Sequence, residues 1–175
     1  VDNFTIIGIP GYDSGQVFEM LSNALKYGCP RYVVWGPGMN DSTVIKHRVW
    51  LVEAIKLSKK YGFELIGCKI PYPENQSTHE ITSKAGGITD IDLYCERWID
   101  LFAAVSADAE GHWYDGYHDT DDSSDDKHPS VLGAIAMAAQ VLTDFPEIVN
   151  YVTVEDNITE NGTNPVTGGA VYERS

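Results

Sequence analysis

Short apolar runs alternate with helical patterns over the first 145 residues of the chain. Three runs rich in β-branched residues, at 4–9, 31–35 and 63–70, each end at glycine or proline. Such runs are typical of buried strands. A fourth, shorter strand is predicted at 112–114.

The segments that follow these runs carry apolar residues at helical spacing. The first helix is expected to be capped by Asp13 or Ser14, and the second by Asp41 or Ser42 with Gly62 at its end. The helices are predicted at about residues 14–27, 42–61, 90–107 and 130–143, with polar loops at 72–87 and 115–127. The last helix is expected to turn six of its apolar side chains inward: Val131, Leu132, Ile135, Ala138, Ala139 and Leu142.

The repeated order of strand and helix predicts an α/β fold with a parallel sheet. In such sheets ligands bind outside the carboxyl ends of the strands, so polar loop residues that follow strands should gather at one edge. Residues 1–148 are interpreted as one domain. Residues 149–175 lose the helical periodicity and are interpreted as an appendage or the start of a following module.

Composition excludes some functions. The chain has 26 acidic and 12 basic residues and a net charge of -14, which argues against a nucleic-acid partner because such binding depends on Lys and Arg. No run reaches the roughly 18 apolar residues of a membrane span. Cys29, Cys68 and Cys95 lack metal-site spacing and are predicted to be buried or half-buried, and neither a metal nor an organic cofactor is expected.

One histidine has the sequence context of a catalytic base. His128 follows Asp125 by three residues and is fixed by Pro129 at the start of the last helix. A carboxylate can hold one ring nitrogen and leave the other to move a proton. Asp126 is the alternative orienting carboxylate, and a plain capping role for His128 is the alternative to catalysis.

Three short motifs occur in an order that resembles a known family. Gly11 after a short strand, Gly38-Met39-Asn40-Asp41 after the next, and Asp125-x-x-His128-Pro129 before the last helix resemble the second, third and fifth blocks of the SGNH (GDSL-like) hydrolases. The resemblance covers residues 3 to about 145. These serine esterases and acyl hydrolases have a flavodoxin-like three-layer α/β/α sandwich.

The resemblance implies a role for each matching residue. His128 would be the general base and Asp125 would orient it. The backbone N–H of Gly11 and the side chain of Asn40 would donate to the oxyanion of the tetrahedral intermediate. By itself Asn40 is an ordinary turn residue.

The first block of the family, a Gly-Asp-Ser that supplies the nucleophile, is absent. Ser14 lies on the loop of the second block and is predicted to be a helix cap rather than a nucleophile. The resemblance therefore implies that the serine and the family's first strand lie upstream of residue 1 or on a second chain.

Two further features suggest the kind of substrate. Trp113 and Tyr117 are aromatic residues near the predicted site that could stack on a sugar ring. Residues 164–172, NPVTGGAVY, resemble connectors of phage and prophage tail-fibre-like proteins, in which SGNH domains can deacetylate surface glycans. We therefore expect an extracellular, cell-surface or virion-associated esterase acting on O-acetylated carbohydrate or other short acyl esters. The alternative is a non-catalytic glycan-binding or structural module of a phage tail or cell-surface protein.

Overall fold

The computed structural model describes residues 8–72, 78–119 and 128–147, with the backbone alone at 78–84. The elements in chain order are α1 (Ser14–Ala24), β1 (Tyr32–Trp35), α2 (Val44–Tyr61), β2 (Glu64–Lys69), α3 (Thr78–Tyr94), β3 (Arg97–Asp100), α4 (Leu101–Val105) and α5 (Val131–Asp144).

The three strands form a parallel sheet in the order β1-β2-β3. Val33 of β1 lies opposite Leu65 of β2, and Gly67 of β2 lies opposite Trp98 of β3. Helices connect both strand pairs, α2 between β1 and β2 and α3 between β2 and β3. The predicted α/β class with a parallel sheet is confirmed.

Helices pack on both faces of the sheet because neighbouring side chains of a strand point to opposite faces. One face carries Trp35 and Leu65, which pack with apolar residues of α1, α2 and α3. The other face carries Ile66 and Ile99, which pack with Phe145 at the end of α5. The arrangement therefore has the three layers expected of an α/β/α sandwich.

Several local predictions are confirmed. The second and third predicted strands correspond to β1 and β2, and the last helix corresponds to α5. Gly62 ends α2 with a left-handed φ of 82°. Asp13 rather than Ser14 is the N-cap of α1.

The expectation that Asp41 or Ser42 caps α2 was wrong, because the Oγ1 of Thr43 accepts from the backbone N–H of Lys46.

The region from 72 to 107 differs most from the prediction. The prediction of a polar loop at 72–87 was wrong from Thr78 onward, where α3 begins. Gly86 and Gly87 suggest a loop in sequence, but a Cβ at Gly86 would overlap the side chain of Val44. These glycines therefore allow α3 to approach α2 closely.

The helix predicted at 90–107 was wrong as a single element, because its two ends are helical in α3 and α4 but Arg97–Asp100 between them form a strand. The chain leaves α3 after Tyr94 and forms β3, whose Ile66–Arg97 and Cys68–Ile99 registers complete the hydrogen bonding of β2. Pairing with an open sheet edge thus outweighed a helical apolar pattern. The predicted strand at 112–114 forms only an isolated antiparallel bridge between Trp113 and Ser106. The predicted strand at 4–9 and the appendage at 149–175 lie outside the described residues, apart from positions 8 and 9, which are not in a strand.

The apolar side chains of α5 do not all turn inward as predicted. The helix reaches the sheet near its carboxyl end, where Val141 and Phe145 join the core. Its amino-terminal part extends away from the strands. All six of the side chains predicted to turn inward are consequently exposed: Val131, Leu132, Ile135, Ala138, Ala139 and Leu142. None of the helices in the described part of the chain is long and apolar enough to cross a membrane.

Candidate functional site

The loop after β1 contacts the loop before α1 through Asn40. The turn at Ile9 to Tyr12 is closed by a backbone hydrogen bond of 3.1 Å, and Gly11 adopts a φ of 82° within it. The side-chain Nδ2 of Asn40 donates to the backbone oxygen of Tyr12 at 3.1 Å. An amide nitrogen carries two hydrogens, so this contact orients Asn40 and leaves it a second donor. Asn40 is exposed.

A buried pair next to Asn40 fastens the same two loops. The backbone N–H of Ser14 donates to Oδ1 of Asp41 at 2.9 Å, and the Ser14 hydroxyl donates to Oδ2. Ser14 is 0% exposed and Asp41 6%. The hydroxyl of Ser14 is therefore directed at a carboxylate in the interior, where a substrate does not reach it.

Asp13 adds a third connection. Its carboxylate caps α1 by accepting from the backbone N–H groups of Gly15 and Gln16. The same carboxylate accepts from Nζ of Lys46 on α2 at 2.7 Å, and this hydrogen bond lowers the pKa of Asp13. An ionised Asp13 thus holds the start of α1 against α2, beside the Gly11 turn.

The backbone of His128 is held by a short antiparallel pairing at the start of α5. The N–H of Asp119 donates to the carbonyl of His128 at 2.9 Å, and the N–H of Ser130 donates to the carbonyl of Tyr117 at 2.8 Å. Ser130 is also the N-cap of α5. A Cβ at Gly133 would overlap the carbonyl oxygen of Tyr117, so the first turn of the helix packs directly on this pairing.

The direction of α5 decides the side of the sheet on which His128 lies. Asp144 near the end of α5 accepts from the backbone N–H of Asp100, and Glu147 pairs with Arg97 at the start of β3. The helix therefore runs antiparallel to β3. Its amino-terminal end, with the exposed His128 before it, lies toward the carboxyl ends of the strands, as Asn40 does. Asp125 and Asp126 lie outside the described residues.

The two aromatic candidates occupy different environments. Trp113 is 5% exposed, and its indole N–H donates to the backbone oxygen of Tyr72 at 2.6 Å. A ring buried to this extent offers no free face to a sugar. Tyr117 is half-buried, and its ring lies edge-on to that of the exposed Tyr114 at 5.5 Å between centroids.

Two aspartate–histidine pairs were not found by sequence reasoning. Nδ1 of His112 lies 2.8 Å from Oδ2 of Asp108 on an exposed turn, and this hydrogen bond lowers the pKa of Asp108. Their spacing of four residues was a usable signal. The buried His47 lies with Nδ1 3.9 Å from Oδ2 of Asp90, and nothing in sequence connects these two residues.

The remaining candidate chemistry is limited. Over residues 8–72, 78–119 and 128–147, no group of three or more His, Cys, Asp or Glu side chains could hold a metal ion. The three cysteines are free, and Cys29 is exposed, contrary to expectation. Burial raises the pKa of Cys68 to about 12 and that of Cys95 to about 11, which makes both thiols poor nucleophiles.

Comparison with known proteins identifies relatives of the fold. No family model matches the sequence, and no curated protein matches it. Among solved structures, the chain is similar to a GDSL-like lipase of Bacteroides thetaiotaomicron, with a TM-score of 0.67 and 14% identity over 81% of this chain and 75% of that one. It is also similar to a protein of Bacteroides fragilis designated an acylhydrolase, with a TM-score of 0.67 and 14% identity over 82% of this chain and 74% of that one. The chain thus shares the fold of a GDSL-like lipase.

Proposed function

We propose that the chain is part of a serine ester hydrolase of SGNH type. The observation that carries this proposal is the hydrogen bond from Asn40 to the carbonyl of Tyr12, directly after Gly11. It joins the two loops that would form the oxyanion hole. The similarity of fold to a GDSL-like lipase and an acylhydrolase supports the same reaction class.

The proposed reaction is a two-step acyl transfer. A serine hydroxyl attacks the ester carbonyl while His128 takes its proton, with Asp125 orienting the imidazole. The N–H of Gly11 and the second N–H of Asn40 stabilise the negative charge on the carbonyl oxygen. His128 then protonates the leaving alcohol, and water attacks the acyl-enzyme with His128 again as base.

The nucleophile is proposed to come from a preceding segment of the polypeptide or from a second chain. Ser14 is the serine nearest to the Gly11 turn in sequence, but its hydroxyl donates to Asp41 in the interior. Moving it toward substrate would break that hydrogen bond and leave a buried carboxylate oxygen unpaired, at a cost of about 1–3 kcal/mol.

The proposed substrates are short acyl esters, in particular O-acetyl groups on carbohydrate. Support comes from Tyr117, whose carbonyl accepts from Ser130 and whose ring pairs with the exposed ring of Tyr114. Exposed aromatic rings close to a catalytic base can bind the apolar face of a sugar. An extracellular, cell-surface or virion location remains part of this proposal.

Fluorophosphonate labelling of the protein as isolated from its source, followed by mapping of the modified serine, tests the assignment. We expect labelling on a peptide outside this sequence and its loss in His128→Ala. His112→Ala is the matched control, because His112 is also an exposed histidine and its pairing with Asp108 lies outside the proposed site. Labelling at Ser14 would refute the alignment of the motifs. Folded protein that does not label would favour the non-catalytic glycan-binding or structural module.

A further inference from the structure

His47 of α2 packs against the loop that carries Asn40. A Cβ at Gly38 would lie 3.0 Å from Cδ1 of Ile70, and 3.2 Å from Cδ2 and 3.5 Å from Nε2 of His47, so the imidazole and Ile70 lie beside the Gly38 turn. Gly38 has a φ of 140°, which side-chain-bearing residues rarely adopt. It lies two residues before Asn40. His47 itself is 5% exposed.

The other side of the imidazole faces α3. A Cβ at Gly87 would lie 3.6 Å from Nδ1, at ordinary contact distance. Oδ2 of Asp90 lies 3.9 Å from the same nitrogen. The imidazole therefore lies between the Gly38 turn and α3.

A charge pair holds the aspartate beside the ring in place. Asp90 is 0% exposed, and its Oδ1 accepts from Nε of Arg48 at 2.8 Å. This hydrogen bond raises the pKa of Arg48. A buried carboxylate is costly to separate from its partner, so we expect Asp90 to keep its position beside His47.

We propose that His47 is a positioning residue of the ester hydrolase site. It holds the Gly38 turn and thereby sets the place from which the Asn40 amide donates. The inference rests on the proposed function only for its consequence in catalysis. The effect of His47 on the position of the Asn40 side chain can be measured without any enzymatic reaction.

The side-chain amide of Asn40 reports its own position in nitrogen–proton NMR spectra, with Asn40→Ala to assign its signals. We expect His47→Ala to shift or broaden this pair of signals while the protein stays folded. Leu51→Ala is the matched control, because Leu51 lies one turn further along α2 and is fully buried in the core. It should lower the unfolding temperature and leave the Asn40 signals in place.

Unchanged Asn40 signals in folded His47→Ala, or an equal change in Leu51→Ala, would overturn the inference. If His47→Ala does not fold, the same signals are measured in His47→Gln, which keeps a polar side chain of similar length. In source protein with esterase activity, we expect kcat to fall by up to about a hundredfold with KM little changed, as for a misplaced catalytic group. Absence of any esterase activity would count against the proposed function, and the amide signals alone would then decide the role of His47.

Discussion

The hydroxyl and the backbone N–H of Ser14 both donate to the carboxylate of Asp41 in the protein interior. This double contact joins the start of α1 to the loop after β1. The neighbouring contact from Asn40 to Tyr12 crosses between the same two loops. Ser14, the serine nearest to the Gly11 turn in sequence, thus has a structural role in the site.

Ser14→Ala should therefore destabilise the protein without removing the nucleophile. Loss of the hydroxyl leaves a buried oxygen of Asp41 without that donor, which should lower the free energy of unfolding by about 1–3 kcal/mol. Denaturant titration measures this loss. Fluorophosphonate labelling of the folded variant should persist, and labelling that vanishes in folded Ser14→Ala would contradict our assignment.

Asn40→Ala should affect catalysis far more than stability. Asn40 is exposed, and its side chain donates a hydrogen bond to the backbone oxygen of Tyr12, so its loss should change stability little. Removal of an oxyanion donor, in contrast, typically lowers kcat by about a hundred- to a thousandfold. Hydrolysis of 4-nitrophenyl acetate by the source protein measures the change. Asn23→Ala is the matched control, since Asn23 is an exposed asparagine of α1 that contacts Lys26. Equal rates in the two variants would remove Asn40 from the site.

Glu147 should stabilise the protein in a pH-dependent way. Its hydrogen bond with Arg97 lowers its pKa below the ordinary value of 4.5. The folded state thus favours the ionised form, so the contribution is fully present above about pH 4.5 and is lost as pH falls through the depressed folded pKa. Glu147→Gln should lower the unfolding temperature at pH 7, with the difference from the parent shrinking toward pH 3.

The control for this variant is Glu19→Gln, which changes an exposed glutamate of α1. It removes the same charge without touching Arg97. A constant difference between Glu147→Gln and the parent from pH 7 to pH 3 would show that the ion pair does not stabilise the fold.

The three cysteines should react in two classes. Cys29 is exposed, whereas Cys68 and Cys95 are buried with raised pKa values. Iodoacetamide at neutral pH should modify Cys29 in the folded protein and all three thiols after denaturation. Mass spectrometry of the labelled peptides distinguishes the sites. Rapid modification of Cys68 under native conditions would mean that α5 opens readily from the sheet.

Sequence reasoning found the parts of the fold that depend on local pattern. The runs that became β1 and β2, the Gly62 cap and the helix after Ser130 could be predicted because their signals lie within a few residues. The approach of Asn40 to the Gly11 turn agrees with the general expectation that loops after parallel strands gather at one edge.

The rest depended on contacts between distant segments. Gly86 and Gly87 looked like loop residues because their role becomes visible only when α2 lies beside them. The strand β3 was hidden within a helical pattern and is specified by its pairing with β2. The role of His47 could not be predicted for the same reason, since only folding brings Gly38 and Gly87 beside it.

The hydrogen bond between Asp119 and His128 has a consequence for tolerance to insertion. It holds Asp119 and His128 beside each other, and the close approach of Gly133 to Tyr117 packs α5 against this pairing. Because loop-closure entropy grows slowly with length, residues added directly after Asp119 should leave the backbone of His128 where it is. Residues added between Asp125 and His128 would change the spacing within the proposed pair. Natural variation in length is therefore expected on the amino-terminal side of Asp125.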